Sequence, residues 1–141
     1  MSRVINPDSA GKARTRLTKE IVLALQQLMR QQQVDEHSRD LAAFIALALQ
    51  DIHKTIDQSV AAWEKRGYWV KADRFRMDWE WTAILGKKLA RSLAAEDWAT
   101  IAAISAQVGQ KLAKVEVSPR HRLGEPWAHA WLRFQKEWKD G

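Results

Sequence analysis

Phe75-Arg76-Met77-Asp78-Trp79-Glu80-Trp81 alternates strictly between apolar and charged side chains, as a half-buried β-strand does. Read as a strand, it makes the chain a mixed fold; read as helix, it leaves nothing in the sequence against an all-α protein. The flanks favour helix. Tyr68, Ala72, Phe75, Trp79, Thr82, Gly86, Leu89 and Leu93 fall near one line on a wheel turning ~100° per residue, so one apolar stripe passes through the alternating segment and beyond it on both sides. No turn residue interrupts the segment, and Arg74/Asp78 and Arg76/Glu80 are i, i+4 pairs of opposite charge. The helical reading has a cost: Val70, Met77, Trp81 and Ile84 form a second apolar stripe on the opposite side. Such a helix must be covered twice.

Working outward, the segment before it carries Leu41, Phe44, Ile45, Ala48, Leu49, Ile52, Ile56, Val60 and Trp63 on one face. It opens with the acidic pair Asp35-Glu36 and closes with Lys65, Arg66 and Gly67, the charges a helix dipole favours at each end and the residue that caps most readily. Upstream, Leu17, Ile21, Ala24, Leu25 and Leu28 define a first amphipathic helix. Downstream, Trp98, Ile101, Ile104, Ser105, Val108, Leu112 and Val115 define a fourth, after a weak restart at Glu96-Asp97 that has no Gly or Pro. Residues 116–124 read as a loop, and Glu125-Pro126 as the opening of a short fifth helix with Pro at its favoured first position.

The expected fold is all-α: an antiparallel bundle of four helices, about 16–33, 36–66, 68–95 and 97–115, with a short C-terminal fifth at about 126–138. Residues 1–15, with turn chemistry in Asn6-Pro7-Asp8-Ser9-Ala10-Gly11, read as a basic N-terminal arm, and 16–141 as one domain. The core is expected to hold Leu25, Leu28, Phe44, Ile45, Ile52, Ile56, Phe75, Trp79, Leu89, Leu93, Ile101, Val108 and Leu112.

At 141 residues the chain is the size of a single domain, and its 23 Lys and Arg against 17 Asp and Glu give a formal net charge of +6. The charge is polarised along the chain: residues 1–19 hold five basic and one acidic residue, and residues 109–141 hold seven and four. With no cysteine, disulfides, thiolate metal sites and cysteine nucleophiles are excluded. No apolar run reaches the ~18 residues of a membrane span and no signal-peptide core stands at the start, so a soluble cytoplasmic protein with no membrane attachment is expected.

Motifs for chemistry are few. A Walker loop ending at Gly11-Lys12 needs Gly at position 6 and Ser or Thr at 13, but Asn6 and Ala13 stand there. Inward Glu-x-x-His pairs for a carboxylate-bridged metal are absent, and His53 with Asp57 offers two groups on one helix, which is not a site. No nucleophile, base and acid constellation stands out. The expectation is a protein that is not an enzyme, with no cofactor and no metal.

Two binding surfaces remain. Lys12, Arg14, Arg16 and Lys19 at one end, with Arg120, His121 and Arg122 at the other, are candidates for anion or nucleic-acid contact. Eight tryptophans are more than a core of this size needs. Of these, Trp81 and the C-terminal ridge Trp127, Trp131 and Trp138 are candidates for a protein interface, either with the chain's own bundle or with a partner or second copy. The leading expectation is a non-catalytic interaction module, an adaptor or small subunit of a larger assembly. The alternative is sequence-independent nucleic-acid binding through the arm and the 111–122 region, with exposed aromatics such as Trp69 stacking on unpaired bases. A hydrophobic ligand between helices is a third possibility, and it requires a cavity.

Overall fold

The computed structural model describes residues 7–139. Five helices follow one another: α1 (Pro7–Met29), α2 (Glu36–Lys65), α3 (Trp69–Ala94), α4 (Trp98–Lys111) and α5 (Ala130–Glu137). No strand occurs among the described residues, and 75–81 lie wholly inside α3. The i, i+3 and i, i+4 periodicity of the flanks therefore overrides the local alternation. Short connections make α1–α2, α2–α3 and α3–α4 neighbours, whereas the long 112–129 connection carries α5 back to α2.

The hub of the bundle is α2, which α1, α3 and α5 all pack against, while α4 lies on α3 and touches α1 only lightly. An unbroken run from Leu41 to Leu49 is buried on α2, as a helix covered on several sides requires. Against it α3 brings Gly86, where an added Cβ would stand 3.1 Å from the Cβ of Leu49. The missing side chain sets how closely the two helices approach. Ten of the thirteen expected core residues are buried; Leu28, Phe75 and Trp79 are half-buried at its edge.

Helix ends account for most boundary differences. Asp35 caps α2 by accepting from the Ser38 N–H at 2.9 Å, while the Asp35 N–H donates to Ser38 Oγ at 3.5 Å. Gly67, at φ +82°, closes the same helix: its N–H donates to the Glu64 carbonyl and that of Tyr68 to Trp63. The same pair of bonds ends α3, from Glu96 to Leu93 and from Asp97 to Ser92, but here Glu96 takes the left-handed conformation at φ +50°. That is why no glycine marks this break. Asp97 then caps α4 by accepting from Thr100.

Three expectations are corrected. The basic arm expected over residues 1–15 is helical from Pro7, since proline fits the first turn of a helix; residues 1–6 lie outside the described residues. The last helix begins at Ala130 and not at Pro126. Residues 126–129 form turns, ending with His129 at φ +61°, and a carboxylate from α2 caps the helix four residues later than proline suggested. Tyr68, placed on the core stripe of α3, stands outside the helix and is exposed.

Candidate functional site

The basic first helix meets the loop that carries the second basic cluster. Gly11, Lys12, Thr15, Arg16 and Lys19 of α1, together with Leu123, line an open cleft of about 760 Å³. Leu123 follows the exposed triplet Arg120, His121 and Arg122, whose loop folds back on itself. The N–H of His121 donates to the Ser118 carbonyl at 3.1 Å, and the N–H of Leu123 donates to His121 Nδ1 at 3.2 Å. The four expected anion contacts of the N-terminal helix, Lys12, Arg14, Arg16 and Lys19, thus line one cleft, and the loop carrying the other three, Arg120, His121 and Arg122, reaches it through Leu123.

Arg14, although it also touches that cleft, serves the interior. Its guanidinium donates to Thr55 Oγ1 at 3.3 Å and Ser59 Oγ at 3.4 Å, and lies 4.7 Å from the Phe75 ring centroid and 5.8 Å from that of Trp79. Burial lowers its pKa, and the aromatic faces and two hydroxyls replace the water it gives up. Arg16 is also partly occupied, pairing with Glu20 at 3.0 Å. Glu20 is 4% exposed, and burial raises its pKa while Arg16 pulls it back down.

The C-terminal tryptophan ridge turns inward. Trp127 is 6% exposed, Phe134 is buried, and Trp131 and Trp138 are half-buried, stacked on either side of Phe134 at 5.8 and 6.0 Å. Of the two outlets open to this ridge, docking on the chain's own α2 is the one taken. Trp81 is half-buried and stacks on Trp79 at 6.2 Å.

The second stripe of α3 remains uncovered. Val70 and Met77 are each 74% exposed and Ile84 48%, seven residues apart. Tyr68 and Trp69 extend the patch at its N-terminal end, so it runs from the α2–α3 corner along most of the helix. Spacing identified the stripe, whereas its being left open is a property of the assembled bundle.

His53 and Asp57 do approach, at 3.6 Å, but among the described residues no third ligand joins them and no metal-binding cluster forms. No described helix is long and apolar enough to cross a membrane. No protein-family profile matches the chain, and neither a characterised protein nor a solved structure shows significant similarity to it.

Proposed function

We propose that the chain is a non-catalytic helical interaction module that docks a protein partner along the outer face of α3. The observation that carries this reading is the exposure of Val70, Met77 and Ile84 on a helix whose opposite face is already in the core. The three span about 21 Å of helix, and fully burying an aliphatic side chain of this kind contributes about 1.5–3 kcal/mol. Trp81 flanks the stripe as a rigid, half-exposed anchor of the type that concentrates binding energy at interfaces.

A photo-crosslinking amino acid at position 77, used in the native host, tests the reading. The expected result is one defined crosslinked protein, lost on Ile84→Asp without change in the thermal unfolding of the purified chain. Sedimentation distinguishes a second copy from a different partner. A monomer that forms no crosslink at position 77 overturns the proposal.

A second reading is favoured by the meeting of the basic first helix with the loop of the second basic cluster at Leu123: a sequence-independent contact with nucleic-acid phosphates through Lys12, Arg16, Lys19, Arg120 and Arg122, with His121 in the same loop. Titration into a mixed-sequence single-stranded oligonucleotide tests it. On this reading log K falls with log salt at roughly 0.7 per phosphate contacted, and the slope drops in an Arg120→Ala, Arg122→Ala double variant. Binding that disappears well below physiological salt rejects it.

A further inference from the structure

The exposed stripe of Val70, Met77 and Ile84 repeats every seven residues, and its two edges repeat with it. On a wheel turning ~100° per residue, Asp73, Glu80 and Lys87 run along one edge, and Arg74, Trp81 and Lys88 along the other. All six are exposed except Trp81, which is half-buried. The face lies opposite Ala72, Gly86 and Leu93, through which α3 enters the core.

These edges carry charges that the fold does not use. Arg76, which the spacing pairs with Glu80, turns instead to Glu64 at 3.1 Å and Asp73 at 2.9 Å. Glu80, Lys87 and Lys88 form no ion pair among the described residues. Acid and base are also separated along the helix, since Glu80 precedes Ile84 by one turn and Lys87 and Lys88 follow it by one. That polarity makes the face complementary to itself when it is reversed.

From this we infer that the occupant of the outer face of α3 is a second copy of the chain, docked α3 against α3 in antiparallel orientation about a twofold axis at Ile84; the inference rests on the docking reading above and names its partner. In such a pair each edge faces its own counterpart, and positions equally far before and after Ile84 stand level. Glu80 then meets the partner's Lys87 on one edge, Trp81 meets the partner's Lys88 on the other, and symmetry makes each contact twice. On the stripe itself Ile84 meets the partner's Ile84, and Met77 meets the alkyl stem of the partner's Arg91. Other arrangements oppose like charges, which selects against them. Centring on Met77 sets Asp73 against the partner's Glu80, centring midway sets Arg74 against the partner's Lys88, and a parallel pair sets Lys87 beside the partner's Lys88. The contact runs ~21 Å from Met77 to Arg91. With one helix from each copy it belongs at the small end of specific interfaces, about 1,200 Å² and below, so the dimer is a reversible one in the micromolar range.

The test is sedimentation of the full chain across the micromolar range, where a monomer–dimer equilibrium is expected. Glu80→Lys and Lys87→Glu each oppose like charges at both symmetry-related contacts, and each should weaken the dimer about tenfold. The Glu80→Lys, Lys87→Glu double variant re-forms both pairs and should return to wild-type affinity, as should an equal mixture of the two single variants. Both positions are exposed, so thermal unfolding of the dilute variants should match that of the wild type. A chain that stays monomeric throughout, or a dimer that the charge reversals leave unchanged, overturns the inference. The crosslink at position 77 separates this outcome from the docking reading: a monomer that crosslinks a different protein in the host overturns the inference alone, and a monomer with no crosslink overturns both.

Discussion

The carboxylate of Asp40 on α2 accepts a hydrogen bond from the backbone N–H of Trp131 at 2.9 Å, across 91 residues of sequence. It performs for α5 the task that a helix normally assigns to its own N-cap residue, which here is His129 in a left-handed conformation with no side-chain cap. The tie fixes where the C-terminal helix starts and how its aromatic face meets α2. Replacing Asp40 by Ala should therefore cost about 1 kcal/mol, the usual worth of a cap. For a domain of this size that lowers the melting temperature by about 3–5 °C. Asp40→Asn keeps an acceptor and should lose less than half as much. Proteolysis in the 116–129 connection should accelerate in the alanine variant alone, and equal rates in both would show that the bond does not hold α5.

Arg14 was a candidate anion contact by sequence, and its surroundings assign it to packing. Arg14→Ala removes the donor to Thr55 and Ser59 and the cation over Phe75, and should destabilise the chain by about 2 kcal/mol in chemical denaturation. Arg14→Lys should recover only part, since an ammonium lacks the planar face that stacks on a ring. In the oligonucleotide titration Arg14→Lys should leave the salt slope unchanged. A reduced slope would return Arg14 to the phosphate-binding surface.

Glu20 provides a pH-dependent signature. Burial raises its pKa in the folded chain, with Arg16 acting in the opposite sense, so the fold favours the protonated form. The stability this group contributes is therefore complete below its unfolded pKa and is lost as pH rises through the folded one. Asp35 and Asp97 act in reverse: hydrogen bonds from Ser38 and Thr100 lower their pKa values, and their caps weaken as pH falls. Glu20→Gln isolates the first effect. Its melting temperature should equal or exceed that of the wild type at pH 7 to 8, with the difference shrinking toward pH 4. A gap that widens on acidification would mean that Glu20 is stabilising as a carboxylate.

The all-α class, the order of the helices and most of the core were legible from periodicity. A buried face repeats every three or four residues, and the stripe from Ala72 to Leu93 carries through the misleading alternation at 75–81. The ends were less legible. Glu96 in a left-handed conformation where glycine is usual, and a cap for α5 supplied by Asp40, leave no local trace in the sequence.

The candidate surfaces divide in the same way. Composition along the chain located the positive charge at its two ends, and helical spacing found both the outer stripe of α3 and the tryptophan ridge. Whether such features are used internally or left open is decided by which helices become neighbours. Packing against α2 consumed the ridge and drew Arg14 inward, while the assembled bundle brought Leu123, next to Arg122, to the basic side of α1 and left a groove open between α1 and α4. Periodicity is a property of one helix and is written in consecutive residues. Coverage and charge proximity are properties of pairs of helices, and only the tertiary structure fixes them.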